Sequence, residues 1–317
     1  MRGFLRKLAI FFSPFLLGGI LLFVLPYETE FAYSAIEKHC RNGNWIQHRL
    51  FESSTNIDVA CIGTSRTMCG ISDHLLEQSL ARDQATMHVA NLGFARLGRS
   101  LHYAFAKALL THHQPKVLIV EVQTKESRNS HLDFPYVANA SDVLLAPVFM
   151  NGQYAADIFT ASKLRFFYWR ARILGEKWTI DSMDIHRTHS FILGGPHLNI
   201  DSAYLRPLPL LNSPKGLKQQ VHRLNHHYPY WYLAKIKEAC DKRGVALRFL
   251  YLPNCNDDPA QLPIDLDQYR EWATVWMPPD TIIHQSSTYM DPDHLNETGA
   301  TQLTEWLAHQ IAQDPAL

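Results

Sequence analysis

The chain has 317 residues, 46% of them hydrophobic, with Lys+Arg and Asp+Glu balanced at 30 each. That is enough for one large domain or two small ones, and the charge balance excludes the strongly basic footprint of a nucleic-acid binder. Five cysteines (Cys40, Cys61, Cys69, Cys240, Cys255) exclude a disulfide framework, though a single Cys240–Cys255 bridge stays open, and 17 scattered histidines without Cys-x-x-Cys or His-Glu-x-x-His imply neither metal nor cofactor.

The first element is apolar on every face. Leu8 to Pro26 reads LAIFFSPFLLGGILLFVLP and carries no charge, which is long enough to span a bilayer as a helix. Arg2, Arg6 and Lys7 precede it, and Glu28 and Glu30 follow it. The positive-inside bias then keeps the N-terminus in the cytoplasm and the rest outside. Pro26, Tyr27 and Glu28 follow the run instead of a small-x-small cleavage site, so an uncleaved anchor over residues 1–30 is expected rather than a signal peptide. Residues 31–56 are polar and mixed, and read as a juxtamembrane helix and connector.

From residue 57 to 317 strand and helix patterns alternate. Asn56–Gly63, Met87–Leu92, Lys116–Val122 and Val245–Leu252 are short apolar runs and read as buried strands, with Thr281–His284 as a fifth. Ser72–Leu80, capped by Ser72 or Asp73, and Ser100–His112 have helical spacing. So do Leu217–Arg243, with Pro229 as a break or a new start, and Glu297–Gln310, with Asn296 as its cap. Residues 125–214 lose the alternation and read as an insertion, with an aromatic helical stretch at Ala161–Leu174 and a proline-studded loop at Pro207–Pro214. The fold class is α/β: a doubly wound parallel sheet with a helical insertion, preceded by one transmembrane helix. Sites in such sheets form at the C-terminal ends of the strands.

Two segments sit at such ends. Gly63-Thr64-Ser65-Arg66 follows the first strand, where backbone N–H groups near a serine oxygen can stabilise an oxyanion. Asp291-Pro292-Asp293-His294 precedes the last helix, and its three-residue spacing lets the Asp291 carboxylate reach Nδ1 of His294, leaving Nε2 as a base. Together the two blocks resemble the SGNH (GDSL-type) hydrolase and acyltransferase superfamily, in particular the membrane-anchored, DltD-like proteins of bacterial cell-envelope modification. The resemblance covers about residues 57–312. It implies the SGNH/flavodoxin-like fold, with Ser65 as nucleophile, His294 as general acid/base and Asp291 as its orienter.

Two departures accompany the resemblance. The family's second block has here only NLGFARLG, offering Asn91, Gly93 and Gly98, and the third block is absent, with Gln123, Thr124 or Asn129 as substitutes. Oxyanion or substrate contacts are therefore expected from Gly63, Arg66, Asn91, Gly93, Arg96 and Gln123. The implied activity is transfer of an acyl (acetyl-like) group to a cell-envelope or exported polysaccharide through a serine ester. The partners the resemblance implies are an acyl donor and a polysaccharide or other hydroxyl acceptor, with a membrane-bound O-acyltransferase as a possible third. Simple ester hydrolysis and a non-catalytic tethered binding protein are the alternatives. The Arg165–Arg172 cluster, with Phe166, Phe167, Tyr168 and Trp169, is open to core packing, polysaccharide or lipid. Tyr228, Tyr230, Trp231 and Tyr232 are expected to pack a helix onto the sheet.

Overall fold

Short apolar runs without alternation have to be covered on both faces, and four of them lie side by side with a short, partly exposed edge strand in one parallel sheet. A computed structural model describes residues 2–37, 39–40, 42–82, 86–124, 126–148, 150–176, 215–258 and 265–317, the side chains of 2 and 215–226 excepted. The strands are β1 (Val59–Ile62), β2 (Val89–Asn91), β3 (Val117–Val122), β4 (Ala246–Tyr251) and β5 (Thr274–Trp276), in the order β2-β1-β3-β4-β5. Helices α1 (Arg2–Val24), α2 (Thr29–Glu37) and α3 (Gly43–Phe51) precede the sheet. Between β1 and β2 lie α4 (Ser65–Gly70) and α5 (Asp73–Arg82), and between β2 and β3 lies α6 (Arg99–His112). Between β3 and β4 come α7 (Phe134–Val137), α8 (Ala140–Leu144), α9 (Tyr154–Leu174) and α10 (Lys215–Arg243). Next, α11 (Leu266–Trp272) leads into β5, and α12 (Asp280–Ile283) and α13 (Glu297–Ala312) follow it.

The strand order reverses at β1, which pairs with β2 on one side and β3 on the other. Ile62 is level with Val120, so the chain leaves the sheet at Gly63 alongside Glu121. This fixes the ground on which the candidate site stands. Helix α13 packs on α5 and α4, while α10 packs on α6 and β4. Ser72 caps α5, its Oγ accepting from Leu75 N at 3.2 Å, and the Asn296 side chain caps α13 by accepting from Gly299 N.

Several elements differ from the sequence reading. The fifth strand is Thr274–Trp276, and residues 280–283 form a helical turn. The β-branched Thr281-Ile282-Ile283 suggested a strand, but Pro279 opens a turn in which Ile283 N donates to its carbonyl at 3.2 Å. Pro229 sits inside α10 without ending it. It costs one backbone hydrogen bond, offset by the complete burial of Tyr228, Tyr232, Leu233 and Ile236. Tyr228 and Tyr232 pack against Phe134, Val143 and Ala161 of the insertion rather than against the sheet. Cys240 and Cys255 are both free thiols, so no bridge joins them. The loop Pro207–Pro214 lies outside the described residues.

The largest difference concerns residues 31–56. Helices α2 and α3 are part of the main core, with Tyr33, Ile36, Trp45, Ile46 and Leu50 all at most 2% exposed. Their polar side chains have fixed partners: Arg49 donates to the carbonyls of Thr55 (2.5 Å) and Asn56 (3.0 Å), and Asn42 Nδ2 donates to Gly93 O (3.1 Å). The segment between apolar helix and sheet is therefore built into the domain. Trp45→Ala should destabilise the detergent-solubilised full-length chain by about 3–5 kcal/mol, as expected for emptying a large core site. Denaturant unfolding checks this, and a change under about 0.5 kcal/mol would mean the segment is a loose connector.

Candidate functional site

The site begins with a charge in the wrong solvent. Glu121 lies in β3 with 1% of its surface exposed, in a strand otherwise made of Val, Leu and Ile. A buried carboxylate needs donors, and the chain leaving β1 supplies them. Its two oxygens accept from Thr64 N (2.8 Å), Thr64 Oγ1 (2.9 Å), Thr67 N (3.1 Å), Thr67 Oγ1 (2.5 Å) and Gln123 Nε2. Gly63 is required by the closeness of this contact, because a Cβ there would sit 2.5 Å from Glu121 Oε2 and 1.9 Å from Thr67 Oγ1. Beneath it, fully buried Arg99 donates to Glu121 O (2.6 Å) and forms a two-pronged ion pair with buried Glu126. Burial, and then the Arg99 charge, hold the neighbouring His102 well below the usual imidazole range. It is therefore neutral, and its Nδ1, 3.0 Å from Arg99 Nη1, accepts.

The wrapped turn fixes Ser65 at the first position of α4. Of the amides around it, Thr64 N and Thr67 N go to Glu121, Arg66 N goes to Thr64 Oγ1, and Met68 N goes to Thr64 O. The Ser65 amide has no acceptor among the described residues. The Ser65 Oγ is 2.7 Å from His294 Nε2, and His294 Nδ1 is 2.6 Å from Asp291 Oδ2. The other Asp291 oxygen accepts from Asp293 N (2.8 Å) and His294 N (2.9 Å), so the carboxylate is fixed by its own loop. A bridge between Tyr289 and Leu295 closes that loop.

Arg66 ties the two halves together. Its guanidinium donates to Leu252 O at the end of β4 (2.8 Å) and to Asp293 Oδ1 (2.5 Å), which also accepts from Asn254 Nδ2 (2.8 Å). Burial acts to raise the Asp293 carboxyl, but Arg66 and Asn254 outweigh it and hold it below the usual carboxylate range.

The remaining expected contacts fare differently. Asn91 is fully buried, and its Nδ2 donates to the carbonyls of Thr67 (3.0 Å) and Ile71 (2.7 Å) while its Oδ1 accepts from Gly93 N (2.9 Å). Both groups are committed to holding α4 against the β2 end, where a Cβ on Gly93 would lie 2.5 Å from Met68 N. Neither is free to meet an oxyanion. Gln123 is likewise occupied, with Nε2 bonded to Glu121 and to Thr64 Oγ1. Arg66 serves the clamp, and Gly63 serves the carboxylate contact. Arg96 alone keeps the expected availability: it is exposed, has φ of 73°, and has no ion pair among the described residues. Glu121, Asp293 and Asn254 are the residues that the sequence reading missed. A lone glutamate inside the apolar run KVLIVEV was the available signal, since a carboxylate there has to be bonded.

No protein-family model matches the chain, and no curated protein matches its sequence.

Two outcomes follow from this geometry. Glu121→Gln puts an amide donor among five donors, and should destabilise the protein by about 3–5 kcal/mol, the cost of breaking a buried charge network; thermal unfolding that matches wild type would contradict the account. The Arg66–Asp293 attraction stabilises the fold fully above the ordinary Asp value, about 3.9, and is lost as pH falls through the lower folded value. Asp293→Asn should therefore lower the neutral plateau and flatten part of the acid limb, the two proteins converging at low pH. An unchanged acid limb would show that the pair carries no pH dependence.

Proposed function

We propose that the chain is a membrane-anchored, extracytoplasmic acyl ester enzyme of the SGNH type, with Ser65 as nucleophile. The observation that carries this reading is the unbroken hydrogen-bond line from Ser65 Oγ through both imidazole nitrogens of His294 to Asp291. The strand order β2-β1-β3-β4-β5, with Ser65 just past the strand where the order reverses, supports the doubly wound, flavodoxin-like fold. Helix α1 is long and apolar enough to cross a bilayer, and signal sequences share that property. The absence of a small-x-small cleavage site after the apolar run favours an uncleaved anchor, and the flanking charges favour placing the domain outside the cytoplasmic membrane.

In the proposed cycle His294 Nε2 takes the Ser65 hydroxyl proton as Oγ attacks the acyl carbonyl. Asp291 stabilises the imidazolium and holds Nδ1–H in place. The free Ser65 amide donates to the developing oxyanion. Nε2–H then protonates the leaving group, an acyl ester forms on Ser65, and the C–O bond of the donor breaks. In the second half His294 deprotonates the acceptor hydroxyl, which attacks the acyl-serine and restores Ser65. The acceptor we favour is a hydroxyl of an envelope or exported polysaccharide, with a membrane-bound O-acyltransferase as partner in supplying the acyl group. Water as acceptor makes the same site an esterase.

The donor inventory also favours a slow enzyme. With Asn91, Gly93 and Gln123 committed elsewhere, the Ser65 amide is the clearest free donor, and one missing oxyanion donor costs about 2.7–4 kcal/mol of transition-state stabilisation. The same shortage is what favours the non-catalytic binding protein as a second reading.

The full-length chain in detergent should cleave a small acetyl ester slowly. Ser65→Ala should reduce the rate to that of the blank with unchanged melting, His294→Asn should lower it about 10²–10⁴-fold, and Asp291→Asn should cost less. Cells carrying Ser65→Ala should lose acyl esters on an envelope or secreted glycan. If hydrolysis is absent and glycan acylation stays normal, the binding reading replaces this one.

A further inference from the structure

Helix α9 is apolar on two sides. One side faces the protein, with Ala161, Leu164, Arg165 and Tyr168 buried. The opposite side is exposed: Phe159 (69%), Phe166 (54%) and Ile173 (79%) recur every seventh residue, with Phe167 and Leu174 beside the last two. Residues seven apart drift only ~20° around a helix, so these side chains form one stripe. A soluble helix carries charge on that side. Here Lys163 and Arg170 lie among these apolar side chains, the Lys163 ammonium over the Phe167 ring at 5.9 Å, and their long stems can carry the charges from an apolar face out to the headgroups. Aromatic and aliphatic residues interspersed with cations, on a helix packed against the apolar helix α1, make the composition of an interfacial helix.

The position of α9 says what covers the stripe. The buried Arg165 guanidinium packs over the rings of Phe23 (5.0 Å) and Tyr27 (4.6 Å), at the end of α1. Tyr168 meets Tyr27 and Phe31 edge-on or tilted, and Arg172 lies 3.7 Å from Glu28. So α9 is fastened to the point where the apolar helix leaves its 22-residue span, none of whose apolar window is buried by the protein.

We propose that α9 is a second membrane contact, lying in the bilayer interface with Phe159, Phe166, Phe167, Ile173 and Leu174 among the acyl chains. This rests on the reading of α1 as a retained span. Together α1 and α9 hold the domain by two elements joined through Arg165, so the domain keeps one orientation relative to the membrane instead of swinging on a tether.

The test substitutes the photocrosslinker p-benzoylphenylalanine, one position at a time, for Phe15, Phe166, Ile173 and Thr301 in the full-length chain in cell membranes. Phe15 lies in α1, and Thr301 is an exposed residue of α13. All four side chains are exposed, so the substitutions leave the core intact. After irradiation, phospholipid adducts at 166 and 173 should exceed those at 301 at least 5-fold and approach those at 15. Lipid adducts at 15, with 166 and 173 joined instead to another protein, to residues 177–214 of this chain, or to nothing, would overturn the proposal while sparing the anchor. Absence of lipid adducts at 15 would overturn the anchor reading and this proposal with it.

Discussion

A carboxylate buried in the middle of a parallel sheet has to be surrounded by donors, and in this protein that requirement shapes everything above β1. Glu121 takes two amides and two hydroxyls from Thr64 and Thr67 and an amide from Gln123. The turn after β1 is thereby wound tightly around it. Gly63 must be glycine for the carboxylate to fit. Thr64 must be a cap, its hydroxyl holding Arg66 N at 3.1 Å. Ser65 is the residue left over: its amide has no acceptor among the described residues, and its hydroxyl is directed at His294. The role proposed for Ser65 needs its surroundings locked by other bonds, and Glu121 with the Arg99–Glu126 pair below it supplies that lock.

The histidine side is organised more locally. Asp291 binds the imidazole and two backbone amides of its own loop, so orientation of His294 does not depend on distant contacts. What depends on distant contacts is the meeting of the two halves. Residues separated by 229 positions approach within 2.7 Å because β1 and the loop before α13 end at the same sheet edge, and the Arg66 fork across Leu252 and Asp293 holds them there. Each half can be right on its own and still fail without that fork.

The sequence carried the parts of this that follow from simple patterns. Four strands were legible as short, mainly apolar runs, and the Ser65 and Asp291–His294 blocks stood out by lying at strand ends, the latter with a three-residue spacing that suits a carboxylate and an imidazole. Strand β5 was not legible, because three residues give no period. The place of residues 31–56 in the core was hidden by buried polar side chains such as Asn42 and Arg49, which are satisfied only by partners the fold brings in. Asn91 was read as a substrate contact because an asparagine at a strand end suits either an oxyanion or a helix staple, and only geometry separates them. Backbone amides carry no letter at all, so the free donor at Ser65 could not be read beforehand.

The central claim is that Ser65 is a nucleophile activated by His294. Its most direct measurement is peptide mapping of the full-length chain after exposure to a fluorophosphonate, wild type beside His294→Asn. The account predicts a single phosphonyl adduct on Ser65 in the wild type and its loss, or slowing by about 10²-fold or more, in the variant. An adduct on another residue, or equal labelling of Ser65 in both proteins, would contradict it.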